Sequence, residues 1–120
     1  MVAASVTGMY EIDFAEFPST SAAASGRFFE RAFGWAATPY GPDYTDVRAA
    51  GLTFGFQSDP AEQPRAPLLT IRTDDLPSAR EAVEAAGGVV TKEPFAFPGG
   101  QRFHFREPGG SELAVWCPDA

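Results

Sequence analysis

One cysteine and one histidine are all that this 120-residue chain holds of thiol or imidazole. A single Cys117 makes no intramolecular disulfide and no cysteine-rich zinc site. It stands beside Pro118 near the C-terminus, with no basic group close in sequence to lower its pKa, and so reads as a small apolar residue at a strand end. A single His104 removes every scheme that needs two imidazoles. Long apolar runs are missing too: the longest fall far short of the roughly 20 residues that span a bilayer, which excludes a transmembrane helix. The opening MVAASVTGM has neither a basic region nor an apolar core, which argues against a signal peptide and for a cytoplasmic protein. The nine Lys and Arg form no run and the net charge is −7, so a nucleic-acid groove would lack the attraction it needs.

What the chain does have is apolar and aromatic. With 44% hydrophobic residues, including eleven Phe, two Trp and three Tyr, it can close one core without disulfides or structural metal. A single domain over residues 1–120 is expected. The acidic balance would favour a cationic small molecule, and it is also an ordinary means of staying soluble.

Residues 9–17 alternate around Tyr10, Ile12 and Phe14, the period-two pattern of a half-buried strand. Pro18, Ser19 and Thr20 signal a helix start, and the helix continues over 20–33 to a stop at Gly34. Three short strands are expected at 35–40, 44–50 and 52–57. Residues 58–67, polar and containing three prolines, form a connection. The order then recurs. LLTIRT at 68–73 is a strand, Asp74-Asp75-Leu76-Pro77 enters a helix over 76–86 with Ala79, Ala82, Val83 and Ala86 as its apolar face, and Gly87-Gly88 ends it. VVTKEPF, QRFHFR and ELAVW follow as strands, separated by turns at 98–100 and 107–110. The fold expected is therefore α+β: two βαβββ modules, at about 9–57 and 68–117, forming a curved, half-open mixed sheet cup with the helices outside. The inner face of that cup is the expected ligand site.

Three stretches resemble the vicinal oxygen chelate superfamily, which includes glyoxalases, bleomycin-resistance proteins and dioxygenases. They are Phe28-Phe29-Glu30-Arg31-Ala32-Phe33-Gly34-Trp35, then Thr73-Asp74-Asp75-Leu76 with Ala85-Ala86-Gly87-Gly88, then Phe105-Arg106-Glu107-Pro108-Gly109-Gly110. Their order and spacing cover residues 9 to 117. The resemblance implies a fold more directly than a reaction. It also implies four metal-ligand positions, one from each of four strands, which project onto Phe14, Gln57, Leu68 and Ala114. Only Gln57 could bind a metal; Asp13 and Glu112 are the nearest other donors, and no histidine joins them. No metal and no other cofactor is expected.

Strand alternation places Ile12, Phe14, Gly55, Gln57, Leu68, Thr70, Ala114 and Trp116 on the concave face, and Phe54, Phe56, Leu69, Ile71, Leu113 and Val115 under the helices. A regular four-residue loop at 107–110 would set Phe105 opposite Glu112 and Phe103 opposite Ala114, adding both rings to the cup. His104 would then lie on the helix side, whereas a single bulge would reverse it. The expected ligand-binding set is Phe14, Gln57, Leu68, Thr70, Phe103, Phe105, Ala114 and Trp116, with Glu112 and His104 as candidate acid/base groups. Three functions fit. One is a metal-free protein that sequesters an aromatic or cationic small molecule. Another is an enzyme of the same superfamily, a lyase, isomerase or dioxygenase-like member, using acid/base residues or an atypical metal site. The third is a module for self-association, a homodimer being expected because sheet edges need covering.

Overall fold

Alternating phenyl groups at Phe54 and Phe56, with Phe17 on the neighbouring strand, build the sheet surface that receives the first helix. The computed structural model describes residues 10–119. The strand start at Met9 and the reading of MVAASVTGM lie outside the described residues. By internal packing the chain divides into two compact units, residues 13–69 and residues 70–119 with 10–12.

Module one runs β1 (Tyr10–Pro18), α1 (Ala22–Phe33), β2 (Ala36–Pro39), β3 (Tyr44–Ala49) and β4 (Leu52–Gln57). Its strands lie in the order β2-β3-β4-β1. β1 is parallel to β4, with Phe14 beside Thr53 and Phe17 beside Phe56, while β2, β3 and β4 are antiparallel neighbours. The Ser21 side chain accepts from the Ala24 N–H at 3.2 Å, meeting one of the donors a first helical turn leaves open. Gly34 closes the helix at φ 71°, a left-handed conformation that a side chain would resist, and donates to Glu30 O at 2.9 Å.

Ala22, Val47 and Phe56 are the buried centre of this module, with Phe17, Phe29, Trp35, Ala37 and Phe54 packed against them. The Phe29 ring lies 5.9 Å from Trp35, nearly parallel at 3°, and 5.4 Å from Phe56. Such pairs contribute about 0.5–1.5 kcal/mol each beyond their burial.

Module two runs β5 (Leu68–Thr73), α2 (Leu76–Ala85), β6 (Val89–Phe97), β7 (Gly100–Arg106) and β8 (Glu112–Pro118), with strands in the order β5-β8-β7-β6. Asp75 caps α2 by accepting from the Ser78 N–H at 3.1 Å, and Pro77 sits in the first turn where no N–H is needed. The core is Leu76, Ala79, Phe103, Phe105 and Val115, with Ile71, Val83, Val90, Leu113 and Cys117 around it. Ala82 and Ala86, expected on the buried face of α2, are exposed; Leu76 takes their place, three and seven residues before Ala79 and Val83.

One expectation fails on register. The loop between β7 and β8 holds five residues, not four, because Ser111 belongs to it. The Glu107 N–H donates to Ser111 O at 2.9 Å, and the Glu107 carboxylate accepts from the Gly109 and Ser111 N–H groups at 2.7 and 2.8 Å. Arg106 therefore pairs with Glu112, Phe105 with Leu113, His104 with Ala114 and Phe103 with Val115. A shift of one residue turns every side chain of a strand over. Phe103 and Phe105 pack under α2, and His104 faces the other way without any bulge in β7 against β8.

The class is thus α+β, with strand, helix and three strands occurring twice. Among the described residues no helix is long and apolar enough to cross a membrane.

Candidate functional site

The face of module two turned from α2 carries the densest chemistry. Thr70 pairs with Ala114 in parallel, and Ala114 pairs with His104 in antiparallel register, so the three form one row across β5, β8 and β7. The next row is Arg72, Trp116 and Arg102, with Phe95 of β6 beside Arg102. Lys92 pairs with His104, which extends the first row.

Rings and cations alternate on this surface. The Arg72 guanidinium lies 5.9 Å from the Trp116 ring centre, Lys92 Nζ 4.5 Å from Phe95, and Arg102 5.1 Å from Phe95 and 5.4 Å from Phe97. Phe97 lies 6.0 Å from Trp116. Within an acidic chain, three cations gathered on three rings form a local positive wall.

Ala114, itself fully buried, lies between two polar groups in this row. Thr70 is 3% exposed and His104 8% exposed. Thr70 Oγ1 and His104 Nε2 are buried with no hydrogen-bond partner among the described residues. Such groups cost stability where they stay unmet, and bound water or a ligand is what meets them.

His104 Nδ1 lies 3.4 Å from Glu112 Oε2, an oxygen that also accepts from Thr91 Oγ1 at 2.9 Å. Burial lowers the imidazole's pKa to about 4, and Arg102 and Lys92 push the same way against the opposing pull of Glu112. The ring is therefore neutral near pH 7. A proton on Nδ1, shared with Glu112, leaves Nε2 an acceptor.

In module one the face turned from α1 carries Phe14 and Glu16 of β1, Tyr44, Asp46 and Arg48 of β3, and Gly55 and Gln57 of β4. Glu16 and Asp46 are both register partners of Gly55. A side chain at Gly55 would meet Tyr44 Oη at 2.1 Å and Phe14 Cζ at 2.5 Å, so the bare backbone there is what lets both rings lie over the sheet. Burial raises the Asp46 carboxyl above its ordinary value, Arg48 lowers it, and Glu16 raises it further.

The residues expected from sequence are thus split. Thr70, Ala114, Trp116, His104 and Glu112 share the face of module two, whereas Phe103 and Phe105 are core, Phe103 being fully buried. Phe14 and Gln57 lie on module one, and Leu68 is buried at the start of β5. Sequence reasoning missed Arg72, Lys92, Phe95, Phe97 and Arg102. The alternation of Phe95, Phe97 and the Arg102–His104–Arg106 series was the available signal, and the misassigned loop hid it.

The metal that the resemblance implies does not fit these residues. Phe14, Leu68 and Ala114 have no donor atom, and Gln57 Oε1 accepts from the Asp59 N–H at 2.9 Å. Among the described residues no group of three or more His, Cys, Asp or Glu is gathered to hold an ion. A hard divalent cation needs several such donors.

The comparisons agree with this architecture. A family model for a glyoxalase-like domain matches residues 14–116. No curated protein matches the chain. Among solved structures, methylmalonyl-CoA epimerase from Mycobacterium tuberculosis is 12% identical with a TM-score of 0.74, over 95% of this chain and 92% of that one. A glyoxalase/bleomycin resistance protein/dioxygenase superfamily member from Vibrio splendidus 12B01 is 12% identical with a TM-score of 0.65, over 92% and 99%. The Mn(II)-bound glyoxalase from Novosphingobium aromaticivorans is 21% identical with a TM-score of 0.66, over 89% of this chain and 38% of that one. At these identities the likeness is one of fold.

Proposed function

We propose that this chain, which belongs to the glyoxalase-like domain family of the vicinal oxygen chelate superfamily, is a binding protein that takes up a planar aromatic small molecule without a metal. The observation that carries this reading is the row Thr70–Ala114–His104, where two buried polar atoms without a partner among the described residues stand on either side of a buried alanine, beside the half-buried rings of Phe95, Phe97 and Trp116. Aromatic faces supply area and stacking, and a few polar atoms fix orientation. The cations on those rings favour an aromatic ligand over a cationic one. A homodimer in the cytoplasm belongs to the same proposal. The uncovered rings of Phe28 and Phe33 on α1, 57% and 58% exposed, support self-association.

Calorimetric titration and thermal shift with a panel of planar aromatic compounds test the proposal, each repeated after treatment with a chelator. One-to-one binding that the chelator leaves unchanged is the expected result. Failure of the whole panel to bind would remove the reading, and binding that the chelator abolishes would restore metal chemistry.

A second reading, an acid/base enzyme, has one observation in its favour: Glu112 orients the His104 ring through Nδ1, as an orienting carboxylate does for a general base. The direction of the His104 shift, downward through burial, weighs against it. A base whose pKa is about 4 lies far from the match to neutral pH that proton transfer needs. Turnover of a bound aromatic compound that is lost in Glu112→Gln, with folding intact, would reverse that judgement.

A further inference from the structure

We propose that the ligand of module two is an aromatic carboxylate that also carries a hydroxyl or N–H donor, an inference that rests on the binding reading above. Three features of one sheet face combine to select it. Phe95, Phe97 and Trp116 are half-buried and supply a partly exposed aromatic surface. Arg72 and Lys92, both exposed, lie against Trp116 and Phe95, so that a molecule on this aromatic wall meets a guanidinium or ammonium group at its edge. Planar guanidinium groups pair with carboxylates through two parallel hydrogen bonds, which favours a carboxylate over a neutral edge.

The donor follows from His104. With its Nδ1 facing the Glu112 carboxylate, which can only accept, the ring holds its proton there and offers a lone pair at Nε2. The Thr70 hydroxyl at the other end of the row can accept or donate. A carboxylate alone cannot satisfy Nε2; an O–H or N–H on the ligand can. Both buried atoms are shut off from solvent, so the ligand reaches them by turning a side chain at the rim. Phe95, 5.8 Å from the His104 ring and half-buried, is one neighbour whose turning would open His104.

The test is calorimetric titration of the full chain with four matched probes: 4-hydroxybenzoate, benzoate, 4-hydroxybenzamide and 4-hydroxybenzylamine. The expected order places 4-hydroxybenzoate first, by about tenfold or more over each of the others. Arg72→Gln with Lys92→Gln, both at exposed positions, should erase the advantage over the amide and the amine. His104→Phe should erase the advantage over benzoate; if it fails to fold, the four probes on the unaltered chain still decide. Equal binding of the amide or the amine overturns the carboxylate, and equal binding of benzoate overturns the donor, while either leaves the binding reading standing. Absence of binding by all four, together with failure of the wider aromatic panel, removes both.

Discussion

At the scale of the residue, His104 couples the candidate site to pH. Its folded pKa, about 4, lies below the ordinary 6.5, so between those values the unfolded chain takes up the proton more readily. Its contribution is therefore fully present above pH 6.5, falls as pH drops through the window, and levels off below pH 4. Denaturant unfolding of the native chain and of His104→Gln across this range should differ by that slope, the carboxylates common to both cancelling. Equal slopes would mean that the imidazole is as easily protonated in the fold as outside it. Thr70, Ala114, Trp116 and Glu112 were legible as residues of one sheet face, the one turned from α2, because strand alternation needs only a strand and its phase. Arg72, two residues beyond Thr70, obeys the same rule, and was passed over because a charged residue near a strand end reads equally well as solvated.

At the scale of the element, α1 rests on one close approach and one cap. A methyl group added at Gly26 would lie 2.8 Å from Thr45 Cγ2 and 3.3 Å from Ala37 Cβ. Gly26→Ala gains up to about 1 kcal/mol of helix propensity but overpacks a β-branched neighbour with no freedom to swing away, at about 1–3 kcal/mol. Net destabilisation of about 1 kcal/mol is the expected outcome, read by chemical denaturation; a stabilised variant would show that the helix lifts freely from the sheet. Ser21→Ala should cost about 1 kcal/mol through the lost cap. Strand and helix spans were legible almost throughout, since hydrophobic period and Gly or Pro punctuation act locally. The pairing of β7 with β8 was not. Whether Ser111 joins the ladder or the loop depends on the Glu107 carboxylate gathering two N–H groups, a contact between residues that no periodicity records.

At the scale of the whole molecule, two charge statements compete. The chain carries −7, yet the proposed site gathers Arg72 and Lys92 against its own rings. Screening over about 8 Å at physiological ionic strength mutes the distant charges and spares the near ones, so the local wall governs affinity. Binding of 4-hydroxybenzoate should weaken by several-fold as salt is raised toward about 1 M, where the screening length is about 3 Å. Affinity that rises with salt would show that the net charge prevails. The family was legible because helix ends and turns are fixed by backbone geometry; the chemistry of the module-two face was not, because it resides in side chains whose side of the sheet is set by a loop. That loop has a further meaning. With an odd number of residues between β7 and β8, the strand shows arginines and histidine on one side and phenylalanines on the other; with an even number it would show the reverse. A single inserted or deleted residue, the commonest and least costly change a surface hairpin undergoes, is thus a parity switch for this fold. Relatives with near-identical strands can present opposite chemistry to a ligand, and loop length must be counted before their sites are compared.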